Sequence, residues 1–439
     1  MPNTLQIDYR KLAELSGLDQ TLRVHNRAQQ RKIAAFTRAY GPLRPILIDP
    51  AGRIVDGVAL AQALQQQGYD EVPVVVVHGR SPEELRLIRL GLNRLAEDAA
   101  WNKAALASEF RELLALSFDV ELAGFDAVEI DMALAIEDET GSGEVEDAPP
   151  APRAGATVAQ SGDLWLLGEH RLVCGDARDA AALARLMGED RARMVFTDPP
   201  YNVAIDGFVA GRGRHREFEM ASGEMTEDEF VAFLTQALSA LTPHLVDGAI
   251  LDVCMDWRHS AEVLAAIAAA GLTLMNLCVW AKTNAGMGTF YRSQHELVWI
   301  AKHGSAPHTN TFELGQKGRS RSNLWTYRGM NAVGGERDEL IKLHPTVKPA
   351  ALVADAIKDV SSRGEIVLDP FLGSGTTLIA AERTGRRGYG LELDLAYADV
   401  ILRRYLAETG RMPILADTSV RFDAREEALL AMEPVHDEA

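Results

Sequence analysis

Short apolar runs and stretches of helical periodicity alternate along the first part of the chain. A strand or turn opens it, and a helix is expected around Gln29 to Arg38. Pro45-Ile46-Leu47-Ile48 and Gly52-Arg53-Ile54-Val55-Asp56 then read as two strands joined by an Asp-Pro-Ala-Gly turn. A helical stretch from Ala59 to Gln67, a strand at Val72 to Val77, and helices over Pro82 to Asn93 and Lys103 to Leu116 follow. Residues 1–118 therefore read as a small α/β domain with a helical tail. Between 119 and 161 the periodicity fades into an acidic stretch with some helical character. That stretch ends in Gly141-Ser142-Gly143 and Asp147-Ala148-Pro149-Pro150-Ala151-Pro152, the composition of a mobile linker.

From 162 to 415 strand, loop and helix signals recur in regular order. Met194-Val195-Phe196-Thr197 is a strand ending at Asp198. Thr226-Glu227-Asp228-Glu229 is a capping box, and Phe230, Phe233, Leu234, Ala237, Leu238 and Leu241 follow at helical spacing. Ala249 to Cys254 and Leu297 to Ile300 are further strands. Glu365 to Asp369 is another, running into a Gly-rich loop, a helix from Thr376 to Thr384 and a last strand at Arg387 to Glu392. This order predicts a doubly wound, Rossmann-like parallel sheet. Residues 416–439 read as a tail, marginally ordered after Arg421.

Composition changes this picture little. A chain of 439 residues suits two or three domains, and 47% hydrophobic with 25% charged residues is ordinary for a globular protein. With no long apolar run and no secretory pattern at Met1 to Asp8, a cytoplasmic location is expected. Cys174, Cys254 and Cys278 are far apart in apolar, strand-like stretches, so neither a disulfide framework nor a zinc set is expected, and no metal. The net charge of -18 argues against a protein that coats nucleic acid. Eleven acidic residues with no Lys or Arg fall between Asp119 and Asp147, however, in a segment that need not touch DNA.

Two motifs carry chemistry. Asp198-Pro199-Pro200-Tyr201 lies at the C-terminal end of a strand, the edge where open α/β sheets bind ligands. The prolines fix their φ angles and hold the neighbouring carbonyls in set directions. An exocyclic amine on a base is a poor nucleophile, because its lone pair is delocalised into the ring. A carboxylate and a rigid carbonyl accepting its two hydrogens would draw the nitrogen toward tetrahedral geometry, and Tyr201 offers a face for an extruded base. Taken alone, the tetrapeptide is also compatible with a turn closing a strand. The second motif, Asp369-Pro370-Phe371-Leu372-Gly373-Ser374-Gly375-Thr376-Thr377, follows a strand and opens a helix. Glu392 ends the next strand, as an acceptor for two ribose hydroxyls would. No Lys follows the glycines, so this is not a phosphate-binding Walker loop.

With these motifs in this order, residues 162–415 resemble the DNA N6-adenine/N4-cytosine methyltransferases whose catalytic tetrapeptide precedes the cofactor loop. The resemblance implies a seven-stranded sheet with one antiparallel strand, S-adenosyl-L-methionine as cofactor, double-stranded DNA as partner and base flipping before transfer. Asp198, Pro199, Pro200 and Tyr201 would be catalytic. Asp369, Phe371, Gly373, Gly375 and Thr376 would hold the methionine part, Glu392 the ribose, and Asp176 of Cys174-Gly175-Asp176 the adenine. Lys348, in His344-Pro345-Thr346-Val347-Lys348-Pro349, would close over the cofactor, and the stretches around Trp280 to Lys282 and Gln294 to Glu296 share the family's look. Target recognition would fall in 304–343, where Lys317, Arg319, Arg321, Arg328 and Arg337 interleave with Trp325 and Tyr327. A cluster of Arg212, Arg214, His215 and Arg216 would clamp DNA near the flipped base. In both places a solvated surface is the competing reading. An Asp at the head of the tetrapeptide is commoner among adenine enzymes, so N6 of adenine is the expected target. The alternatives are N4 of cytosine, an RNA or protein substrate, and a non-catalytic DNA-binding protein. A homodimer and a restriction-modification setting are left open.

The first region resembles the ParB and sulfiredoxin-like N-terminal domains, through Pro42-Leu43-Arg44-Pro45-Ile46, Ile54-Val55-Asp56-Gly57 and Val72-Pro73-Val74-Val75. Val58 and Ala59 stand where those relatives carry polar phosphate-handling residues, so a DNA-contacting or regulatory module is expected rather than a nucleotide hydrolase. Arg23, His25, Asn26 and Arg27 are candidates for an anion site, against plain surface residues.

Overall fold

The structure, a computed structural model, describes residues 5–17, 26–95, 101–116, 118–138, 152, 156–202, 223–283, 291–312, 321–327 and 348–432. The chain divides into two compact units, Met1–Gly143 and Glu144–Ala439. Among the described residues no helix is long and apolar enough to cross a membrane.

The first unit contains β1 (Ile7–Lys11), α1 (Arg27–Tyr40), β2 (Ile46–Ile48), β3 (Ile54–Asp56), α2 (Val58–Gln66), β4 (Glu71–Val76) and α3 (Pro82–Leu95). The four strands form one sheet in the order β1-β4-β2-β3, with only β2 and β4 parallel. Its core is a β-branched layer, Ile46, Ile48, Ile54, Val72 and Val74, covered by Val58, Ala61 and Leu64 of α2. Asn26, one of the anion-site candidates, is spent as the N-cap of α1, where its Oδ1 accepts from the Gln29 N–H at 2.7 Å. Arg23 and His25 lie outside the described residues.

The expected linker is folded over its first half. After α4 (Lys103–Ala115), a 3-10 turn at Val120–Ala123 leads into α5 (Ala127–Asp138). Phe110, Val120, Ile130 and Ala133 pack between α4 and α5, and Trp101 and Phe110 meet Phe125 edge-on. The first helix of this pair is the one expected over Lys103 to Leu116, whereas acidic composition masks α5, whose buried face rests on a few apolar residues. Gly141 to Gly143 and Asp147 to Ala151 lie outside the described residues.

The second unit is a sheet clad on both faces. In chain order it comprises β5 (Leu164–Leu167), β6 (His170–Cys174), α6 (Ala180–Met187), β7 (Ala192–Thr197), α7 (Glu227–Leu241), β8 (Leu245–Met255), α8 (Ser260–Ala269), β9 (Thr273–Lys282), β10 (His295–Lys302) and β11 (Leu324–Tyr327). Then come α9 (Ala350–Val360), β12 (Ile366–Asp369), α10 (Thr376–Thr384), β13 (Arg387–Glu392), α11 (Leu395–Thr409), β14 (Ile414–Leu415) and α12 (Phe422–Met432). The strand order is β11-β9-β10-β8-β7-β12-β13-β6-β5-β14. The seven strands from β9 to β6 match the expected sheet, with β10 antiparallel to both neighbours. The expectation is exceeded at the edges: β11 pairs parallel to β9, and β5 and β14 extend the other side in antiparallel fashion.

Central strands such as β12, with all four residues buried, are apolar on both faces because helices cover both. Helices α6, α7 and α8 pack Leu183, Phe233 and Val263 on one side, and α9 and α10 pack Leu352, Ile357 and Ala381 on the other. The three cysteines are buried in β6, β8 and β9. The tail is ordered further than its composition indicates: Phe422 opens α12 and packs edge-on against Trp165 at 5.8 Å between ring centroids. The N–H groups of Val158 and Ala159 donate to the buried Asp399 carboxylate at 3.0 and 2.9 Å, so this unit begins before Gln160.

Candidate functional site

The parallel strands β7, β12, β13 and β6 are consecutive neighbours in the sheet, and their C-terminal ends carry Asp198, Asp369, Glu392 and, two residues past Cys174, Asp176. Both motifs therefore meet along one sheet edge, although well over a hundred residues separate them in the chain.

On the β7 side both oxygens of the Asp198 carboxylate have a donor. Its Oδ1 accepts from the Tyr201 hydroxyl at 2.5 Å and its Oδ2 from Lys348 Nζ at 2.5 Å. Lys348, only 6% exposed, also lies 2.9 Å from Glu296 Oε2 and 3.2 Å from the Tyr201 hydroxyl, and Glu296 pairs in turn with Lys282. Burial pushes the Asp198 carboxyl up; Lys348 draws it back and Glu296 adds to the rise, leaving it above the usual carboxylate range. Burial would likewise raise Glu296, but Lys348 and Lys282 outweigh it and hold the carboxyl at about 2. Burial would strip the Lys348 proton, but Asp198 and Glu296 overcome it and hold the ammonium well above its usual range. The walls are aromatic: Trp280 is buried, with Lys282 Nζ 4.7 Å and Lys348 Nζ 6.0 Å from its ring. Asn202, at φ 52°, donates to Met225 O and accepts from the N–H groups of Gly223 and Met225, so it pins the chain entering α7 to the end of the motif.

On the β12 side Gly375 takes φ 83° as the N-cap of α10, a conformation that a Cβ would strain, with Ile401 already 3.0 Å from where that Cβ would be. Gly373 is also left-handed and has nothing within 4 Å of the Cβ position, so open space faces the loop backbone there. Its N–H donates to Glu392 Oε2 at 2.7 Å, while Asp394 N–H holds Oε1 at 2.9 Å. Burial raises Glu392 to about 8 and Asp369 to about 7. An open glycine backbone, a helix N-terminus and a buried carboxyl at the next strand end fit a ligand with a charged amino-acid end and adjacent hydroxyls.

Several expected roles change. Lys348 turns to Asp198 and Glu296, inside the acceptor site, rather than to the cofactor loop. Asp369 is buried and faces inward, accepting from Thr377 Oγ1 at 2.6 Å and Phe371 N–H at 3.0 Å, so it shapes the loop. The Thr376 hydroxyl faces Arg404, whose Nη1 also donates to Ser374 O, both at 3.1 Å. Burial would raise the Asp176 carboxyl, but the Arg178 guanidinium at 2.6 Å and the Arg178 N–H outweigh it and hold it below its usual range. Tyr201 directs its hydroxyl to Asp198 and packs its ring on the core, and Phe371 approaches Phe233 at 6.0 Å.

Among the candidate DNA contacts, Arg321 is an internal strut rather than a groove-facing arginine. It donates to Asp359 Oδ2 at 3.0 Å and to Tyr327 Oη at 3.0 Å, over the buried Trp325 ring. Arg212, Arg214, His215, Arg216, Lys317, Arg319, Arg328 and Arg337 lie outside the described residues, as do His344 to Val347. Sequence reasoning noticed the Trp280 to Lys282 and Gln294 to Glu296 stretches but gave them no role. It missed Arg404 altogether, since nothing in a helical pattern marks which arginine props a distant loop.

The parallel strands of this sheet bring a buried carboxylate and a glycine loop to one edge, an arrangement suited to a group-transfer enzyme. Residues 192–403 match the N6/N4 methyltransferase family, described as DNA methylase, and residues 104–160 match the ParB-methyltransferase HTH domain. The chain carries a DNA methyltransferase domain preceded by a ParB-like helix-turn-helix domain, and it is a DNA methyltransferase. The HTH match covers α4, where a helix is expected, and α5, which stands in the first half of the expected linker. The chain is 25% identical over 221 residues to the type II methyltransferase M2.MboI of Moraxella bovis, covering 48% of this chain and 80% of that protein. It is 18% identical to the M1.HpyAVI–SAM complex, covering 53% of this chain and 97% of that one, with a TM-score of 0.40. It is 22% identical to the chromosome-partitioning protein ParB of Caulobacter crescentus complexed with CTP-gamma-S, covering 30% and 81%, with a TM-score of 0.27.

Proposed function

We propose that this enzyme transfers a methyl group from S-adenosyl-L-methionine to the exocyclic N6 amine of adenine in specific DNA sequences, after the base leaves the helix. One observation carries the proposal: Asp198-Pro199-Pro200-Tyr201 and the Phe371–Gly375 loop end adjacent parallel strands, with Glu392 on the strand beyond. The cofactor, the SAM of the M1.HpyAVI–SAM complex, supplies a methyl group on a positively charged sulfur. The Gly373 loop and the N-terminus of α10 would hold its amino-acid end, and Glu392 its ribose hydroxyls.

Asp198 accepts one hydrogen of the amine, and the rigid Pro199-Pro200 backbone directs a carbonyl to the other, raising electron density on nitrogen as its bond to the methyl carbon forms and the carbon–sulfur bond breaks, the electron pair leaving with sulfur as a neutral thioether. The new bond leaves the nitrogen positively charged, and it must shed a proton. Asp198, its carboxyl raised by burial, is the group placed to take that proton and pass it to water. Adenine is favoured over cytosine by the Asp at the head of the tetrapeptide, by resemblance to the adenine enzymes.

Asp198→Ala is expected to bind S-adenosylmethionine within about tenfold of the unmodified chain while losing nearly all transfer. Calorimetry with a radiolabelled methyl assay measures both, and an active variant refutes the assignment. Nucleoside digestion of methylated DNA followed by mass spectrometry identifies the product; a dominant N4-methylcytosine peak overturns the choice of base and leaves the amine chemistry standing.

A further inference from the structure

The free site competes with its substrate. For Asp198 to accept a hydrogen from an incoming amine, the amine must share a carboxylate already held by two short donors, Tyr201 on one oxygen and the charged Lys348 on the other, each at 2.5 Å. Releasing the ammonium into a buried, aromatic-walled site without a partner would be costly, because an unpaired buried charge loses its solvation. A second seat lies within reach. Glu296 Oε2 is buried and receives no donor in hydrogen-bond geometry, although Lys348 Nζ stands only 2.9 Å away. Glu296 Oε1 is already held by Lys282, so the carboxylate is fixed in place with its other oxygen facing the ammonium as an ion-pair partner. The strand frame is rigid too: β10, which begins one residue before Glu296, is bonded on both sides, to β8 and β9.

We propose that Glu296 is a positioning residue that takes the Lys348 ammonium from Asp198 when the target base enters, so that Lys348 gates the catalytic carboxylate. A small rotation of one lysine terminus completes the exchange. The charge count is unchanged before and after: two carboxylates and two ammonium groups stay in the cluster, and Asp198 exchanges its ammonium donor for the hydrogen of the amine while keeping that of Tyr201. No proton moves in this step. Lys348 stays charged and Asp198 stays an acceptor, now with Oδ2 open to the amine and Oδ1 still ordered by Tyr201. The same exchange explains why a lysine from the segment expected to close over the cofactor is found on the acceptor side. This inference rests on Asp198 accepting the amine's hydrogen.

The test compares Glu296→Gln and Glu296→Asp in the full chain. Gln keeps the volume but offers no charge to receive the ammonium, which then stays on Asp198. Its kcat should fall about tenfold or more, with cofactor affinity unchanged. Its acid limb in kcat/KM against pH should move down, because the like charge that raised the Asp198 carboxyl is gone. Asp keeps the charge at a shorter reach, and its kcat should lie between Gln and the unmodified chain, with the acid limb near its original position. Cofactor binding by calorimetry certifies the fold of each variant, and if Gln fails that check the Asp variant carries the test, since a kcat equal to the unmodified enzyme would mean that the seat's distance is irrelevant. The proposal is overturned if Gln retains full kcat, if Gln and Asp are equally slow, or if the Gln acid limb moves up. Asp198→Ala run alongside separates the two ideas: an active Asp198→Ala refutes the underlying chemistry, whereas an inactive one with a fully active Glu296→Gln refutes the gate alone.

Discussion

Gly390 sits where the cofactor loop presses on the sheet, and adding one methyl group there gives a sharp test of the site's geometry. In Gly390→Ala the new Cβ would lie 2.5 Å from both Cγ and Cδ1 of Leu372 and 2.6 Å from the carbonyl oxygen of Asp369. Carbon atoms pack comfortably at about 3.5–4.0 Å, so something must retreat by about 1 Å. Leu372 is 4% exposed and its N–H is tied to Leu391 O at 3.0 Å, while Asp369 is locked in register opposite Gly390. The side chain can turn only into packed neighbours and the carbonyl cannot turn at all. Overpacking of this kind costs about 1–3 kcal/mol. For a domain of this size each kcal/mol lowers Tm by about 2–4 °C, giving a loss of about 2–12 °C. Because Leu372 lies between Phe371 and Gly373, the loop moves with it, and Kd for S-adenosylmethionine should rise at least about fivefold, equivalent to about 1 kcal/mol. Calorimetric unfolding and titration measure both effects. A Tm within about 1 °C of the unmodified protein together with an unchanged Kd would refute the claim that this contact sets the loop's position.

Cofactor binding should release a proton below about pH 8, and progressively less above it: hydroxyl donors favour the ionised form of Glu392, whose carboxyl burial holds at about 8 in the free protein. The sign is that affinity rises with pH through this window, and titrations in two buffers of different ionisation heat measure it; proton uptake contradicts the ribose role. Arg321→Met should cost about 3 kcal/mol of stability, because Asp359 keeps a buried charge without its guanidinium, and a drop in Tm without a specific loss of DNA affinity checks the strut reading. A fragment beginning at Ala156 should fold and bind cofactor, whereas one beginning at Ser161 removes the two N–H donors of Asp399 and should be less stable by about 2 kcal/mol or more; equal Tm values would count against that boundary.

The elements that the sequence made legible are those whose pattern is local. The capping box at Thr226 and Glu229 forms as expected, since both partners lie within one turn. The strand at Glu365 to Asp369 and the helix at Thr376 were legible because a continuous apolar run and a glycine loop need no distant context. The folded half of the expected linker was not legible. Its helix α5 buries so little apolar surface against the expected α4 that an acidic composition outweighs the periodicity until Phe110 and Ile130 are seen in one cluster. The edge strands β11 and β14, four and two residues long, are too short to carry any period of their own.

The site divides in the same way. Asp198, Tyr201, Gly373 and Glu392 announce themselves through short strings whose residue types suit one chemistry, and each of those strings folds locally. What such strings cannot carry is which groups fill the hydrogen bonds of those residues. Lys348 is 150 residues from Asp198, and Glu296 stands between them in the chain on a strand that is not adjacent to β7. Only the sheet order brings the three together: β10 runs antiparallel to β8, and so delivers its first residues, Glu296 among them, to the edge where β7 and β8 deliver their last. The single antiparallel strand in the central seven thus has a chemical consequence. A parallel β10 would carry Glu296 to the opposite edge of the sheet, and the Lys348 ammonium would have Asp198 as its one carboxylate partner.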